Sequence, residues 1–295
     1  MKHLIVTADD FGLSLPVNEA VETAFQTGIL TGASLMVGAP AAADAVARAW
    51  RLPGLGVGLH LVLINGRPVL PPEQIPELVG PDGRFPDDEI RQGVKIFLHP
   101  AARRQMEAEV RAQFEAFRRT GLPLDYVDGH HHFHQHPSVL ALLIALAREY
   151  DFGAVRLPYE PFRPSWRAQG DKFRTRLFNA LFHWNRTRRM KARLRGAGLS
   201  CNDAIFGLND SGGMGETRIR RFLEHLPDGV SELYCHPATC RWDGVDALRP
   251  DYQCVEEFAA VSSPALRAMA EHLGVRRTRF GALTRGTLAK ETTVP

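Results

Sequence analysis

The sequence predicts an α/β fold in which a mostly parallel sheet closes into a single-domain barrel. Three observations predict it. Short strand patterns alternate with amphipathic helical patterns for most of the chain, an order that requires crossover connections and parallel pairing. A length of 295 residues with 44% hydrophobic content suits one barrel with a sizeable core. Polar residues able to do chemistry recur where strands give way to helices, which is where barrels place their sites. No composition break or internal repeat divides the chain, so one domain over residues 1–295 is expected.

Residues 4–8 read as a first strand, closed by Asp9-Asp10. Ser14 supplies an N-cap and Pro16 a first-turn proline for a helix running to about Thr27. A second strand at 33–37 precedes an alanine-rich helix at 41–51, and 56–63 is a third strand. The Pro/Gly-rich connection 66–86 is longer than ordinary loops and is expected to serve as a lid or substrate-binding segment. A charged amphipathic helix covers 101–119, and 122–127 reads as the next strand. Five histidines (His130, His131, His132, His134 and His136) then crowd one short tract before Pro137 opens an apolar helix. Residues 154–157 form a further strand, and 162–198 a basic amphipathic helical insertion. Strands at 204–208 and 232–235 are each followed by helical stretches ending near His272, and 284–295 are expected to fray.

Composition excludes some classes. The longest apolar run, 139–147, is far too short to span a bilayer and reads as a buried helix. Met1-Lys2-His3 leads straight into a strand with no signal-like apolar region, which predicts a cytoplasmic protein. The four cysteines form no Cys-x-x-Cys pair and are expected to be free thiols; Cys235, beside His236, reads as structural. A net charge of +3 conceals an asymmetry. Between Arg163 and Arg195 lie eleven Lys or Arg and one acid, Asp171, so the remainder of the chain is net acidic. Aromatic and aliphatic residues interleave with that basic block, a pattern of helices that lie on anionic membrane surfaces. A helix packed on the barrel with its cationic face solvated, a nucleic-acid patch and a dimer contact are the competing readings; nucleic acid is not expected as a partner.

The chemistry concentrates at predicted strand ends. Asp9-Asp10, His60, His130 and His236 all fall there, and in a parallel barrel those ends share one face. Taken singly, the Asp pair reads as a capping turn and His60 as a core histidine. Together they read as a site. One carboxylate and two imidazoles leave coordination positions open for water and substrate. A metal so held lowers the pKa of bound water and polarises a carbonyl, as amide hydrolysis requires. The reaction also needs a base and an acid, for which the second Asp of the pair and His236 are candidates.

Thr7-Ala8-Asp9-Asp10-Phe11-Gly12, Gly58-Leu59-His60-Leu61, Asp128-Gly129-His130-His131-His132-Phe133-His134 and Cys235-His236-Pro237-Ala238 resemble, in order, the motifs of the YdjC/ChbG family. That family contains metal-dependent deacetylases of N-acetylated sugars. The resemblance implies a distorted (β/α) TIM-like barrel and one divalent ion, Zn²⁺ or Mg²⁺, held by Asp10, His60 and His130. It also implies Asp9 as general base and His236 as proton donor to the amine, with exchange of roles between Asp9 and Asp10 left open. Asp128 would orient a ligand imidazole, Arg156 would contact substrate, and His132 and His134 would bind substrate or support the ligands. The chain is also similar to the hopanoid-biosynthesis-associated branch, HpnK. That likeness implies an N-acetylglucosaminyl glycolipid as substrate and peripheral contact with the inner face of an anionic membrane. A barrel metallo-phosphoesterase and a non-catalytic lipid- or nucleic-acid-binding protein are the alternatives.

Overall fold

A computed structural model describes residues 1–244 and 246–284; from residue 285 onward the expected frayed tail lies outside the described residues. The strand β1 (Lys2–Phe11) runs through the middle of a parallel sheet. On one side it is followed by β2 (Gly32–Leu35), β3 (Gly56–Leu61) and β4 (Val127–Gly129). On the other lie β6 (Gly229–Cys235) and β5 (Ala204–Phe206), while the short β7 (Arg276–Arg277) pairs with the start of β1. Every ladder is parallel. Helices α1 (Leu15–Thr27), α2 (Ala42–Ala49), α4 (Pro100–Arg119) and α5 (Pro137–Leu146) supply crossovers on one flank, and α8 (Glu216–His225), α9 (Cys254–Val261) and α10 (Pro264–His272) on the other. Between these sets α3 (Glu89–Leu98) precedes α4, the basic insertion forms α6 (Phe162–Gln169) and α7 (Phe173–Gly196), and α11 (Phe280–Thr284) ends the described chain.

The barrel closes, but not with a ladder. Val155 makes a single bridge to Val127 and Ala154 one to Ser200, joining β4 to the segment before β5. The sequence predicts a strand at 154–157; the structure has only these bridges. Pro158 lacks the N–H that would extend the pairing. The Asn202 side chain takes over, accepting from the Leu157 N–H at 2.7 Å and donating to its carbonyl at 2.9 Å. The strand expected at 122–127 also shifts, to Val127–Gly129. Pro123 cannot donate to a ladder, and the residues just before β4 meet β3 through Asp125 N–H to the Val57 carbonyl and Leu59 N–H to the Tyr126 carbonyl.

Alternation along β1 separates two interiors. Leu4, Val6 and Ala8 join the large core under the helices, whereas Ile5 packs with Tyr126, Ala154, Val230 and Phe280 in a smaller cluster. Thr7 and Asp9 share the face of Ile5 and carry polar contacts. A strict period of two would send Asp10 to the helix side. The register slips between Ala8 and Phe11, and Asp10 takes a left-handed φ of 64°. This bulge lets two consecutive aspartates serve one site.

Gly58 on β3 is fixed by a close approach. A Cβ there would lie 2.5 Å from the Tyr126 ring, which is held by stacking on Phe280 and a hydrogen bond with Ser34. Gly58→Ala is expected to lower stability by about 1–3 kcal/mol, read as a shift in the thermal or urea midpoint; an unchanged midpoint contradicts this packing.

Candidate metal and catalytic site

Three strand ends deliver the central cluster. Asp10 comes from the β1 bulge, His60 from β3 and His130 from the residue after β4. His130 Nδ1 lies 3.1 Å and His60 Nε2 3.5 Å from the same Asp10 oxygen, Oδ1. One ligand atom from each residue falls within 4.8 Å of the others. Asp10 and His60 are buried, and His130 is the most accessible of the three. Burial pushes the Asp10 carboxyl upward, but His130 and His60 outweigh it and hold the group well below the usual carboxylate range.

Asp128 fixes His60. Its Oδ1 sits 2.7 Å from His60 Nδ1, which turns Nε2 toward Asp10. A carboxylate on the far nitrogen is the usual support for a metal-bound histidine. Burial depresses the His60 pKa, yet Asp128 and Asp10 prevail and raise it to about 10.

Arg156 ties the floor together. The guanidinium is fully buried and grips Asp9 through two 2.7 Å bonds, Asp128 at 2.7 Å and Glu232 at 2.8 Å. Thr7 and Ser34 complete the net through Glu232, Asp9 and Asp128. Burial raises the Asp9 carboxyl, but Arg156 and His60 overcome this and lower it. For Glu232 burial wins over Arg156, and its pKa rises to about 7. Arg156 does not line the cavity, so it stands behind the site and not against substrate.

The other histidines divide. His131 and His132 adopt left-handed backbone angles, φ 51° and 56°. His131 pairs with Glu89, and His132 reaches the cavity with its Nδ1 buried and unpartnered among the described residues. Burial, assisted by Arg156, holds His132 well below its ordinary value. His134 lies outside the cavity lining and donates through Nε2 to the Arg156 carbonyl at 3.0 Å. Burial takes its pKa down to about 4, so it is a neutral prop for that backbone. His136 caps α5, accepting from Ser138 N–H.

His236 ends β6 at the opposite rim. Glu257 accepts its backbone N–H at 2.6 Å, while the imidazole Nδ1 is buried without a partner among the described residues. Tyr252 and Tyr234 flank the ring at 4.9 and 5.6 Å. Above the floor, Arg67 and Arg84 from the 66–86 segment both bind Asp246 at 2.8 Å, clasping two distant loops over the mouth. The same segment is pinned to α4, where Glu109 accepts from Val69 and Leu70 N–H groups. Neighbouring Cys235 is buried, its thiol raised well above the ordinary range by burial, and it donates to the Thr7 carbonyl.

A divalent ion fits this cluster. Asp10 Oδ1 is a buried oxygen without a hydrogen-bond partner among the described residues, flanked by two imidazole nitrogens. Asp9, Asp10 and Asp128 bring three carboxylates to a floor whose one arginine among the described residues is Arg156, so added positive charge is called for. A second group, Asp9, His60 and Asp128, also has ligand-like spacing, but its atoms are already committed to Arg156 and to one another.

Sequence reasoning missed Glu232, Glu257, Ser34, Tyr126, Tyr234 and Tyr252. The inward set on β6 had a signal: 232, 234 and 236 alternate, so a strand ending in a site histidine carries Glu232 and Tyr234 on the same face.

A parallel α/β barrel with a carboxylate–imidazole cluster at the C-terminal ends of its strands defines the class of protein. Residues 3–272 match the model of the YdjC-like protein family, and the chain belongs to that family. It is 33% identical over 276 residues to a carbohydrate deacetylase of Geobacillus stearothermophilus, covering 93% of this chain and 95% of that protein. A carbohydrate deacetylase of Brevibacillus brevis is 42% identical over 156 residues, 53% of this chain and 59% of its own length. In fold, the chain is similar to an Enterococcus faecalis crystal structure described as a candidate cellobiose-phosphate cleavage protein. The TM-score is 0.73 at 22% identity, covering 96% of this chain and 99% of that one.

Removing the guanidinium leaves buried carboxylates uncompensated. Arg156→Met is expected to cost about 3–5 kcal/mol of folding stability, measured by urea unfolding, and a cost near zero would refute its role as the floor's counterion. Glu232 gives a pH signature. Its folded pKa of about 7 stands above the ordinary glutamate value of 4.5, so its stability contribution is full below 4.5 and is lost as pH rises through about 7. Glu232→Gln should flatten that part of the stability–pH curve; an unaltered slope assigns it to other groups.

Proposed function

We propose that the protein is a metal-dependent hydrolase that removes the N-acetyl group from an amino sugar. The observation that carries this reading is the buried, unpartnered Asp10 oxygen between His60 and His130 at the cavity floor. The names of the full-length relatives support the carbohydrate amide as substrate.

Asp10, His60 and His130 would hold one divalent ion, Zn²⁺ or Mg²⁺, with His60 oriented by Asp128. Such an ion, when bound, polarises the acetamide carbonyl and eases ionisation of water. The chain's own groups do the rest. Asp9, kept ionised and immobile by Arg156, accepts the proton of the attacking water. His236, its Nδ1 without a hydrogen-bond partner among the described residues, gives a proton to the departing amine nitrogen. The division of roles follows the contacts, since Asp10 meets the imidazoles and Asp9 the guanidinium. Tyr252 beside His236 offers the aromatic face on which a sugar ring stacks.

A phosphoesterase using two ions is less well supported. The carboxylates that a second ion needs are taken by Arg156 and His60. The finer substrate reading is an N-acetylglucosaminyl glycolipid of the hopanoid type, handled by a cytoplasmic protein at the inner membrane face. Its support is the sequence likeness to the hopanoid-associated branch together with the outward face of α7. No described helix is long and apolar enough to cross a membrane.

The purified protein is expected to carry one equivalent of metal and to release acetate from N-acetylglucosamine glycosides. Asp10→Asn and His60→Ala should abolish that release, and Asp128→Asn should weaken metal affinity about 10–100-fold. With its pKa near 10, His60 must lose a proton to become a ligand, so metal binding should release protons and tighten as pH rises. Calorimetry in buffers of different ionisation enthalpy measures this. Phosphate release in place of acetate, or full activity in Asp10→Asn, would end the proposal.

A further inference from the structure

Among the described residues fifteen large apolar side chains are exposed, and ten of them lie on α3, α6 and α7. The concentration is not an accident of composition, because α3 and α7 each arrange theirs as a stripe. On α3, Ile90, Val94, Phe97 and Leu98 recur at i, i+4, i+7 and i+8 with 80%, 52%, 52% and 64% exposure. On α7, Phe178, Leu181 and Phe182 recur at i, i+3 and i+4, all at least 64% exposed, with the two phenylalanine rings stacked.

The opposite side of α7 is already packed. Ala180, Thr187, Met190 and Leu194 are buried there, and Arg176 anchors the helix through Asp171, Asp210 and Glu160. A packed helix needs no second apolar face for folding. The cationic-face-only arrangement therefore does not describe this helix. Apart from the buried Arg176, α7 carries seven Lys or Arg and no acid.

The helices α3 and α7 both contribute to one groove, though through residues outside the stripes. Glu89, next to Ile90, lines it with His131, His132, Asn179, His183, next to Phe182, and Arg186. The groove shares Glu89, His131 and His132 with the catalytic cavity. His132 Nδ1 and the Gln135 carbonyl oxygen are buried acceptors without partners among the described residues, and both residues line the groove. Such acceptors suit the hydroxyl groups of a polar headgroup.

We propose that the outer faces of α3 and α7 seat the protein on an anionic lipid bilayer, with the groove between them admitting a glycolipid headgroup from the lipid surface. Charge selects this occupant. A second copy meeting α7 face to face would bring two acid-free cationic helices together, whereas anionic lipid complements them. The aromatic and aliphatic stripe then enters the interfacial region while the arginines meet phosphate. The headgroup part of the proposal rests on the deacetylase reading; the seating does not.

The test is flotation of the full chain with phosphatidylcholine vesicles, with and without phosphatidylglycerol. Binding to the anionic vesicles is expected to exceed binding to the neutral ones at least about tenfold, and the excess should shrink with added salt. Replacing Phe178, Leu181 and Phe182 by Ser should release the protein, as should Ile90→Ser with Leu98→Ser on the separate helix. Arg188→Gln, Arg189→Gln and Arg193→Gln together should remove the preference for anionic lipid. Acetate release from a soluble N-acetylglucosamine glycoside should be unchanged in every variant. Absent acetate release by the unaltered protein would sink the deacetylase reading and the headgroup assignment, leaving the seating to the vesicles. Equal recovery with both vesicle types overturns the seating, as does a dimer in sedimentation that the Ser variants convert to monomer.

Discussion

One buried guanidinium organises the floor of this barrel. Arg156 meets carboxylates from β1, β4 and β6, so its position fixes Asp9, Asp128 and Glu232 relative to one another. Through Asp128 it also sets the tilt of His60, and through its own carbonyl it holds His134. Burying four charged groups is expensive unless each has partners, which is why Thr7, Ser34 and Tyr126 are drawn into the same net. The irregular closure at 154–157 belongs to this arrangement. A regular strand there is replaced by Asn202 bonds and single bridges, and Arg156 projects from that seam into the barrel.

A second constraint is the slip in β1. An unbroken strand offers one inward residue in every two, so it can present one aspartate to a site and must hide its neighbour. The left-handed turn at Asp10 breaks that rule once, at the rim. Two carboxylates thereby sit side by side with different company, one locked on an arginine and one facing imidazoles. Chemically identical side chains thus stand in different electrostatic surroundings, as the proposed base and ligand roles require.

The parallel order, the strand-end location of the polar groups and the convergence of Asp10, His60 and His130 were all legible from residue patterns. Their legibility rests on locality: a strand end can be read from a few neighbouring residues. Arg156 was harder. Two residues before Pro158 on a short apolar run it reads as a substrate contact, and its burial shows only through partners distant in the chain, Asp128, Glu232 and Asp9. The helix α3 was passed over because 87–98 follows a Pro/Gly-rich stretch, although Asp88 caps it and its apolar residues keep helical spacing. That stripe looks outward, so no core demanded it. The left-handed pair His131-His132 has no sequence cue at all, since histidine reaches that conformation only when its surroundings impose it.

The clasp over the mouth has its own consequence. Floor and roof come from different materials: strands supply the reacting groups, while Arg67, Arg84 and Asp246 on connecting segments form a buckle above them. A single carboxylate fastens both arms, and it is not part of the guanidinium net below. The buckle and the guanidinium net share no residue, so re-cutting the one leaves the contacts of the other in place.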